Sequence, residues 1–181
     1  MLKALLTRWL DGFETTWRYD ASYVRVVLRA SPASLLKFAI GTRAADVKAA
    51  PPEALIAAGL VGTLSEDCGP CTQIAVDIAA ANGVNPAILA AILAGDEMAM
   101  GETAALVFRF ARASLARDLQ ACDPLRDEIV RRWGDKGLVA IGLSLTAARM
   151  YPTLKYALGY GKTCSKVVVG GQEVAPLNLA P

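Results

Sequence analysis

The chain carries the segment TLSEDCGPCTQIAV at residues 63–76, in which a glycine and a proline separate two cysteines. A serine or threonine followed three residues later by a glutamate is typical of a helix N-terminus, and residues 63–66 fit this capping box. Ser65 and Asp67 are alternative N-caps. The segment therefore predicts a helix over about residues 66–81, with both cysteines in its first turns.

Cys68 and Cys71 are the candidate reactive residues of this helix. Their spacing of three places both sulfurs on one side. Free backbone N–H groups and the positive end of the helix dipole favour a thiolate there, while the carboxylates of Glu66 and Asp67 oppose one. The short Gly-Pro insert lets the pair close into a disulfide. A redox-active dithiol is the favoured interpretation, and a passive disulfide or a metal site are the alternatives.

Helical spacing and helix caps recur along the whole chain. Leucines and aromatic residues of the first 17 positions form an amphipathic stripe, and Ser31-Pro32 and Asn85-Pro86 each give an N-cap followed by a first-turn proline. Asp123 is the predicted N-cap of a helix that ends at Gly134. The fold class is therefore all-α, a single-domain multi-helix bundle, with helices predicted over about residues 2–17, 22–30, 31–40, 51–62, 66–81, 86–95, 102–119, 123–134 and 136–150, the last continuing more weakly past Pro152.

The domain organisation follows from the same pattern. Residues 1–45 are predicted to form an N-terminal helical arm, residues 46–160 the helical core with the Cys-x-x-Cys motif, and residues 161–181 a tail. The more polar residues 41–50 predict a connection. For residues 167–174 a small β-hairpin around two glycines competes with a loosely ordered terminus, and the loosely ordered terminus is favoured.

Composition excludes several classes of function. The 181 residues are 54% hydrophobic and 20% charged, with a formal net charge of +2 and no basic block, so we expect no nucleic-acid partner. Uncharged residues 137–148 are too few to span a bilayer, and a turn at residues 82–86 interrupts the other long apolar stretch. Charges at Arg8 and Asp11 come too early for a secretory signal, so we expect a cytoplasmic, non-membrane protein.

Cysteine and histidine usage limits the chemistry further. The chain has four cysteines and no histidine, which rules out an imidazole base and any histidine-containing metal site. Cys122 and Cys164 are interpreted as structural or incidental. A structural zinc site would need both of them beside the Cys-x-x-Cys pair, so no metal and no cofactor is predicted.

The tetrapeptide Cys-Gly-Pro-Cys is the one found in thioredoxin, but residues 53–64 predict a helix where that fold requires a buried strand. About residues 50–160 instead resemble the carboxymuconolactone decarboxylase and alkylhydroperoxidase D superfamily. The resemblance consists of an alanine-rich helix, the motif SEDCGPCTQ opening the next helix, the small-residue stretch AAANGV at residues 79–84, and the helix of residues 86–95.

This resemblance implies an all-helical fold assembled as a homo-oligomer, a trimer or a hexamer. It also implies reduction of a small hydroperoxide, with Cys71 attacking and Cys68 resolving. Two positions depart from the family pattern: the histidine after the second cysteine is replaced at Ile74 and Ala75, and the glutamate about twelve residues before the first cysteine is Ile56. Glu53, one helical turn before Ile56, and Glu66, beside the thiols, are the candidate bases.

Two functional hypotheses follow. In the first, the chain is a thiol-dependent redox protein, a peroxidase or disulfide reductase, whose disulfide is reopened by a dithiol such as lipoamide or by a thioredoxin-type partner. In the second, it is a catalytically lapsed helical oligomer of the same fold that acts as a binding or structural module. The intact dithiol favours the first hypothesis, and the missing histidine favours the second.

The remaining polar and aromatic residues receive structural interpretations. Gln73 is expected on a solvated helix face. One aromatic set is expected in the core or at a subunit contact, and one basic aromatic set at the surface. The first set is Trp9, Phe13, Trp17, Tyr19 and Tyr23; the second is Lys155, Tyr156, Tyr160 and Lys162.

Overall fold

The protein is mostly helical, as predicted, and its computed structural model describes residues 2–43, 48–163 and 166–179. Cys164 and residues 44–47, within the predicted connection, lie outside these ranges, so their interpretation stays a prediction. The described residues form eight helices and one hairpin: α1 (Leu2–Trp17), α2 (Ser22–Ala30), α3 (Pro32–Thr42), α4 (Pro52–Ser65), α5 (Gly69–Ala81), α6 (Pro86–Ala94), α7 (Gly101–Ala116), α8 (Leu119–Ala157), β1 (Val167–Val169) and β2 (Gln172–Val174).

Helix α4 is the centre of the main core. Its sequence, PEALIAAGLVGTLS, is apolar or small around almost its whole circumference, and a helix of this kind must be surrounded by other elements. Helices α5, α6, α7 and α8 all pack against it. Leu60, Phe108 and Ile141 are fully buried where three of these helices meet.

Two glycines of α4 lie beside α8, at different separations. A Cβ built on Gly62 meets the backbone oxygen of Leu145 at 2.9 Å and the Cβ of Ala148 at 3.1 Å, whereas one built on Gly59 meets only the Ser144 hydroxyl, at 3.6 Å. The same hydroxyl donates to the carbonyl of Leu55 at 2.8 Å. The close approach of α8 to the C-terminal half of α4 therefore depends on the missing side chain at Gly62.

Helices α1 to α3 have a small core of their own. It consists of Leu10, Ala21, Leu28 and Leu35, which are at most 3% exposed. Ser31 caps α3 as predicted, accepting a hydrogen bond from the backbone N–H of Ser34 at 3.1 Å. The predicted arm boundary near residue 45 falls within the undescribed residues 44–47, so the division into domains stays a prediction.

Helix α8 begins earlier than the sequence indicates. Arg117 adopts a left-handed conformation (φ 58°) that ends α7, and the Asp118 side chain then caps α8 by accepting from the N–H of Ala121 at 3.1 Å. The predicted cap at Asp123 was therefore wrong, because an equally good capping carboxylate precedes it. Gly134 leaves the helical conformation (φ 65°, ψ −177°) and divides α8 where the sequence predicted a helix end.

The tail forms the β-hairpin, so the favoured loosely ordered terminus was wrong. Strands β1 and β2 pair antiparallel through Val167–Val174 and Val169–Gln172, with positive φ at both Gly170 and Gly171. Two glycines of this conformation suit a two-residue turn. Val167 and Val169 are buried on the core side, which gives the hairpin a hydrophobic anchor.

Among the described residues, no helix combines the length and apolar character needed to cross a bilayer. Even the 39-residue α8 is strongly charged along its first half.

Substitution of the two glycines of α4 tests the close approach of α8. Gly62→Ala should lower the free energy of unfolding by about 1–3 kcal/mol, because its new methyl group overlaps a backbone oxygen that cannot move independently. Gly59→Ala should raise it by about 0.5 kcal/mol through helix propensity. Urea unfolding followed by circular dichroism measures both. Equal effects of the two substitutions would contradict the packing described here.

Candidate functional site

The turn between α4 and α5 positions the two cysteines. Helix α4 continues to Ser65, whose hydroxyl donates back to a carbonyl of its own helix, and Glu66 is its C-cap. Asp67 then takes a left-handed conformation (φ 46°), and Cys68 is extended and occupies the N-cap position of α5. The helix thus starts at Gly69 instead of residue 66. The capping box and both alternative caps were wrong, because α4 uses these residues for its own last turn.

Cys68 and Cys71 are joined by a disulfide, with 5.3 Å between their Cα atoms. Cys68 is completely buried and Cys71 is 3% exposed. The backbone carbonyl of Cys68 accepts both from the N–H of Thr72, at 2.9 Å, and from its hydroxyl, at 3.0 Å. These bonds fix the first turn of α5, so the two sulfurs face each other without a rearrangement of the backbone.

The C-terminal segment covers this turn. The N–H of Gly69 donates to the carbonyl of Lys162 at 3.2 Å, and the Tyr156 hydroxyl donates to the carbonyl of Asp67 at 2.9 Å. The Gln73 amide both donates to and accepts from the backbone of Val168, at 2.9 and 2.8 Å. Gln73 is half-buried, and its amide substitutes for a strand partner at the outer edge of β1.

Glu66 is held by a cation. Its carboxylate accepts from Arg149 on α8 at 2.6 and 2.7 Å, and from the Thr153 hydroxyl at 3.4 Å. An arginine paired in this way forms charge-assisted hydrogen bonds that hold the carboxylate in place. The structure therefore provides a structural role for Glu66, which connects α8 to the turn that carries Cys68.

Glu53 does not lie beside the cysteines. It is in the first turn of α4, whereas Cys68 follows the last turn. Twelve residues of helix between residues 53 and 65 amount to about 18 Å at the usual rise per residue. Of the predicted site residues, the structure brings together Cys68, Cys71 and Glu66 at one turn and separates Glu53 from them.

Cys71 lines a cavity of about 350 Å³ between the first three helices and α5. Cys71, Ile74, Ala75 and Ile78 supply one wall from α5, and Ala148 and Tyr151 supply a second from α8. The remaining lining residues come from α1 to α3 and the turn between α1 and α2, and include Phe13, Tyr19, Tyr23, Leu35 and Phe38. Cavities of this size and apolar character hold small organic molecules. Cys68 is absent from the lining, so Cys71 is the cysteine that a ligand in the cavity meets.

Lys155 is the functional candidate that the sequence missed. The expectation of a surface position was wrong for this residue, which is only 3% exposed, although Tyr156 and Lys162 are exposed as predicted. Its Nζ donates to the Tyr19 hydroxyl at 3.1 Å and lies 4.7 Å and 5.2 Å from the ring centroids of Tyr19 and Tyr23. In the described part of the chain, no carboxylate lies within ion-pair distance of it.

Burial shifts the titration of these groups. Burial lowers the pKa of Lys155, because the ammonium form is poorly hydrated there. The negative charge of Asp20 has the opposite, smaller effect, since it favours the ammonium form. Burial raises the pKa of Tyr19 and of Tyr23, so both phenols stay protonated well above neutral pH. The cavity therefore has a neutral phenol beside a poorly hydrated ammonium group at the end formed by Tyr19 and Tyr23.

A larger groove of about 660 Å³ contains neither cysteine of the pair. Three guanidinium groups, of Arg109, Arg112 and Arg149, line it. Arg109 is 3.5 Å from Glu97, Arg149 is paired with Glu66, and Asp118 also lines the groove. Two of the three arginines, Arg109 and Arg149, thus have a carboxylate partner, whereas the guanidinium of Arg112 lies over the Phe108 ring, 5.5 Å from its centroid.

Neither metal ligands nor a known relative defines the site. Within the described ranges, no three cysteine or carboxylate side chains converge as metal ligands. Comparison of the chain with family models, with curated proteins and with solved structures gives no match. The site must therefore be interpreted from its own geometry.

The buried ammonium group of Lys155 should give the stability a specific pH dependence. Its pKa is lower in the folded protein than the ordinary 10.5, so between the two values the unfolded chain binds more protons and stability rises with pH. The free energy of unfolding of the wild type should therefore increase relative to that of Lys155→Met as the pH rises toward 10.5. Urea unfolding at a series of pH values measures the difference.

Lys136→Met is the matched control, because Lys136 is exposed on the same helix. A difference between wild type and Lys155→Met that stays constant or shrinks as the pH rises toward 10.5 contradicts the lowered pKa of Lys155.

Proposed function

We propose that the chain is a thiol-dependent redox protein that reduces small organic hydroperoxides through Cys71 and Cys68. One observation carries this proposal: a bonded Cys-x-x-Cys pair opens a helix, and the residue of the pair that faces an apolar cavity is Cys71. A purely structural disulfide does not require one of its cysteines to line a cavity large enough for a small molecule.

The position of each cysteine supports a division of roles. In the reduced protein, Cys71 meets a ligand in the cavity and its thiolate attacks the distal oxygen of the hydroperoxide, which yields a sulfenic acid and an alcohol. The buried Cys68 thiol then attacks the Cys71 sulfur, releasing water and forming the disulfide. An external dithiol, such as a lipoyl group or a thioredoxin-type protein, reopens the disulfide and supplies the two electrons.

The alkylhydroperoxidase D-like family is part of the proposal. Helix α5 with its N-terminal dithiol is followed by a turn at Gly83 (φ 86°) and the short helix α6, in the order that the resemblance implies. Cys71 as the attacking cysteine also agrees with that family's chemistry. The departures at Ile56, Ile74 and Ala75 remain, since no histidine or glutamate occupies those positions.

Oligomer formation is proposed on the same basis. Large apolar side chains are exposed on α1 and α3, where a second copy of the chain can cover them. They are Leu2, Leu5, Trp9, Leu36 and Ile40, of which Leu5 and Ile40 are 66% and 71% exposed.

A helical module that has lost its chemistry is the second candidate. Two observations favour it: the chain contains no histidine, and Glu66, the carboxylate next to the dithiol, is held by Arg149. In this case the cavity still binds a small apolar molecule, but Cys71 does not turn over.

Hydroperoxide consumption with dithiothreitol as the reductant distinguishes the two candidates. The wild type should accelerate the loss of tert-butyl hydroperoxide, and Cys71→Ser should abolish the acceleration, because serine is too weak an acid to form the attacking anion. Cys122→Ser is the control, since Cys122 is buried on α8 beside Ser114 and Arg126 and does not line the cavity.

Activity that survives in Cys71→Ser shows that the attacking thiol is assigned wrongly. A wild type no faster than dithiothreitol alone supports the lapsed module. Circular dichroism of each variant verifies that the helices are retained.

A further inference from the structure

Reduction of an alkyl hydroperoxide leaves an alkoxide, which is too basic to depart without a proton. The chain has no histidine to supply it, and Glu66 is occupied by Arg149. Building on the proposed function, we infer that the Tyr19 hydroxyl is the proton donor to the leaving oxygen, and that Lys155 positions and recharges it.

The location of Tyr19 supports its role as the proton donor. Tyr19 follows the end of α1, and its side chain lines the same cavity as Cys71. Most of the lining is aliphatic or aromatic, so water competes poorly for hydrogen bonds there. A hydroperoxide held against Cys71 therefore has a phenolic proton available on the wall of its own cavity.

The hydrogen bond between Lys155 and Tyr19 supports the role of Lys155 in positioning and recharging Tyr19. The Lys155 Nζ donates to the Tyr19 oxygen at 3.1 Å, so the Tyr19 hydroxyl accepts from a cation and keeps its own proton for another acceptor. A cation at this distance stabilises the phenolate that forms when the proton leaves. Lys155 is not among the cavity-lining residues, so it acts through Tyr19 and is a positioning residue.

Other groups around the ammonium favour the same arrangement. The rings of Tyr19 and Tyr23 lie within 5.2 Å of Nζ and provide cation–π contacts. Asp20 acts on Lys155 with a favourable negative charge and Lys162 with an unfavourable positive one. Burial fixes the amine in place, since a 3% exposed lysine has little room to exchange its partner for water.

The Cys71 thiolate forms a bond to the distal oxygen, the O–O bond breaks, and its electron pair leaves on the proximal oxygen. Tyr19 transfers its proton to that oxygen, which departs as an alcohol. Lys155 returns a proton to the phenolate and regains one from solvent. Cys71 is oxidised to the sulfenic acid, and the hydroperoxide is reduced by two electrons.

Two oxidants with different leaving groups distinguish a proton donor from a residue that is needed only for packing. Tyr19→Phe keeps the ring and removes the hydroxyl. With tert-butyl hydroperoxide, whose leaving group is an alkoxide, oxidation of the reduced dithiol should slow by about tenfold or more. With peracetic acid, which releases a carboxylate that needs no proton, the rate should match that of the wild type. Stopped-flow tryptophan fluorescence and acid-quenched thiol counting measure both rates.

Lys155→Met should show the same selective loss, because the methionine fills the site of the lysine stem but cannot hold or recharge Tyr19. Tyr160→Phe is the control for loss of a phenol outside the cavity and should not change either rate. Equal slowing of both oxidants in Tyr19→Phe overturns the inference, since damaged packing affects them alike. Unchanged rates with both also overturn it.

The test separates this inference from the proposed function. If the wild-type dithiol reacts with neither oxidant, the proposed function itself fails and the inference falls with it. If the wild type reacts with both oxidants and Tyr19→Phe is indistinguishable from it, the redox function stands and Tyr19 is not its proton donor.

Discussion

Helix α4 is buried on nearly all sides, and the packing of the main core follows from this burial. A helix with no polar face cannot lie at the surface, so α5, α6, α7 and α8 have to enclose it, and α8 approaches so closely that Gly62 has no space for a side chain. The chain turns immediately after Ser65, and α5 then packs against α4. Asp67 makes that turn in a left-handed conformation, and Cys68 becomes the N-cap of α5. The dithiol is therefore fixed by the same packing that fixes the core.

This arrangement creates opposing effects on a thiolate at Cys71. The N-terminus of α5 supplies backbone N–H groups and the positive end of a dipole, which favour the anion, whereas the apolar cavity withholds water, which disfavours it. A dry cavity also strengthens each fixed polar contact inside it. The hydrogen bond from Lys155 to Tyr19 is one such contact, and it places a positive charge beside the lining, which also includes the guanidinium group of Arg43.

Much of the fold could be predicted from local signals. Ser31 and Asn85 cap their helices as expected because a side-chain cap depends only on residues a few positions away. The start of α5 was predicted too early, since residues 63–66 fit both the end of one helix and the beginning of the next, and only the packing of α4 decides between them. The hairpin required the burial of Val167 and Val169 against distant helices, which the local sequence does not contain.

In the candidate site, too, residues close together in sequence could be predicted, whereas residues far apart in sequence could not. Cys68 and Cys71 are only three residues apart in sequence, so their pairing and their helix could be predicted together. Tyr19 and Lys155 are 136 residues apart, and a lysine among tyrosines has the pattern of an ordinary surface segment. A weak sequence signal exists, because Lys155 follows Tyr151 by four residues and both side chains therefore lie on the same face of α8. Tyr151 on that face lines the cavity. That signal gains meaning only once Tyr151 is known to line the cavity with Cys71.

The proposed function requires that Cys68 and Cys71 form a working dithiol that a small apolar oxidant reaches through the cavity. Thiol trapping examines this requirement: the reduced protein is exposed to one equivalent of cumene hydroperoxide, alkylated at successive times and analysed by mass spectrometry of the peptides. We expect rapid formation of the Cys68–Cys71 disulfide and its reopening by dihydrolipoamide, while Cys122 remains a free thiol. Two thiols that stay reduced on exposure to the oxidant, or a disulfide that dihydrolipoamide fails to open, would contradict it.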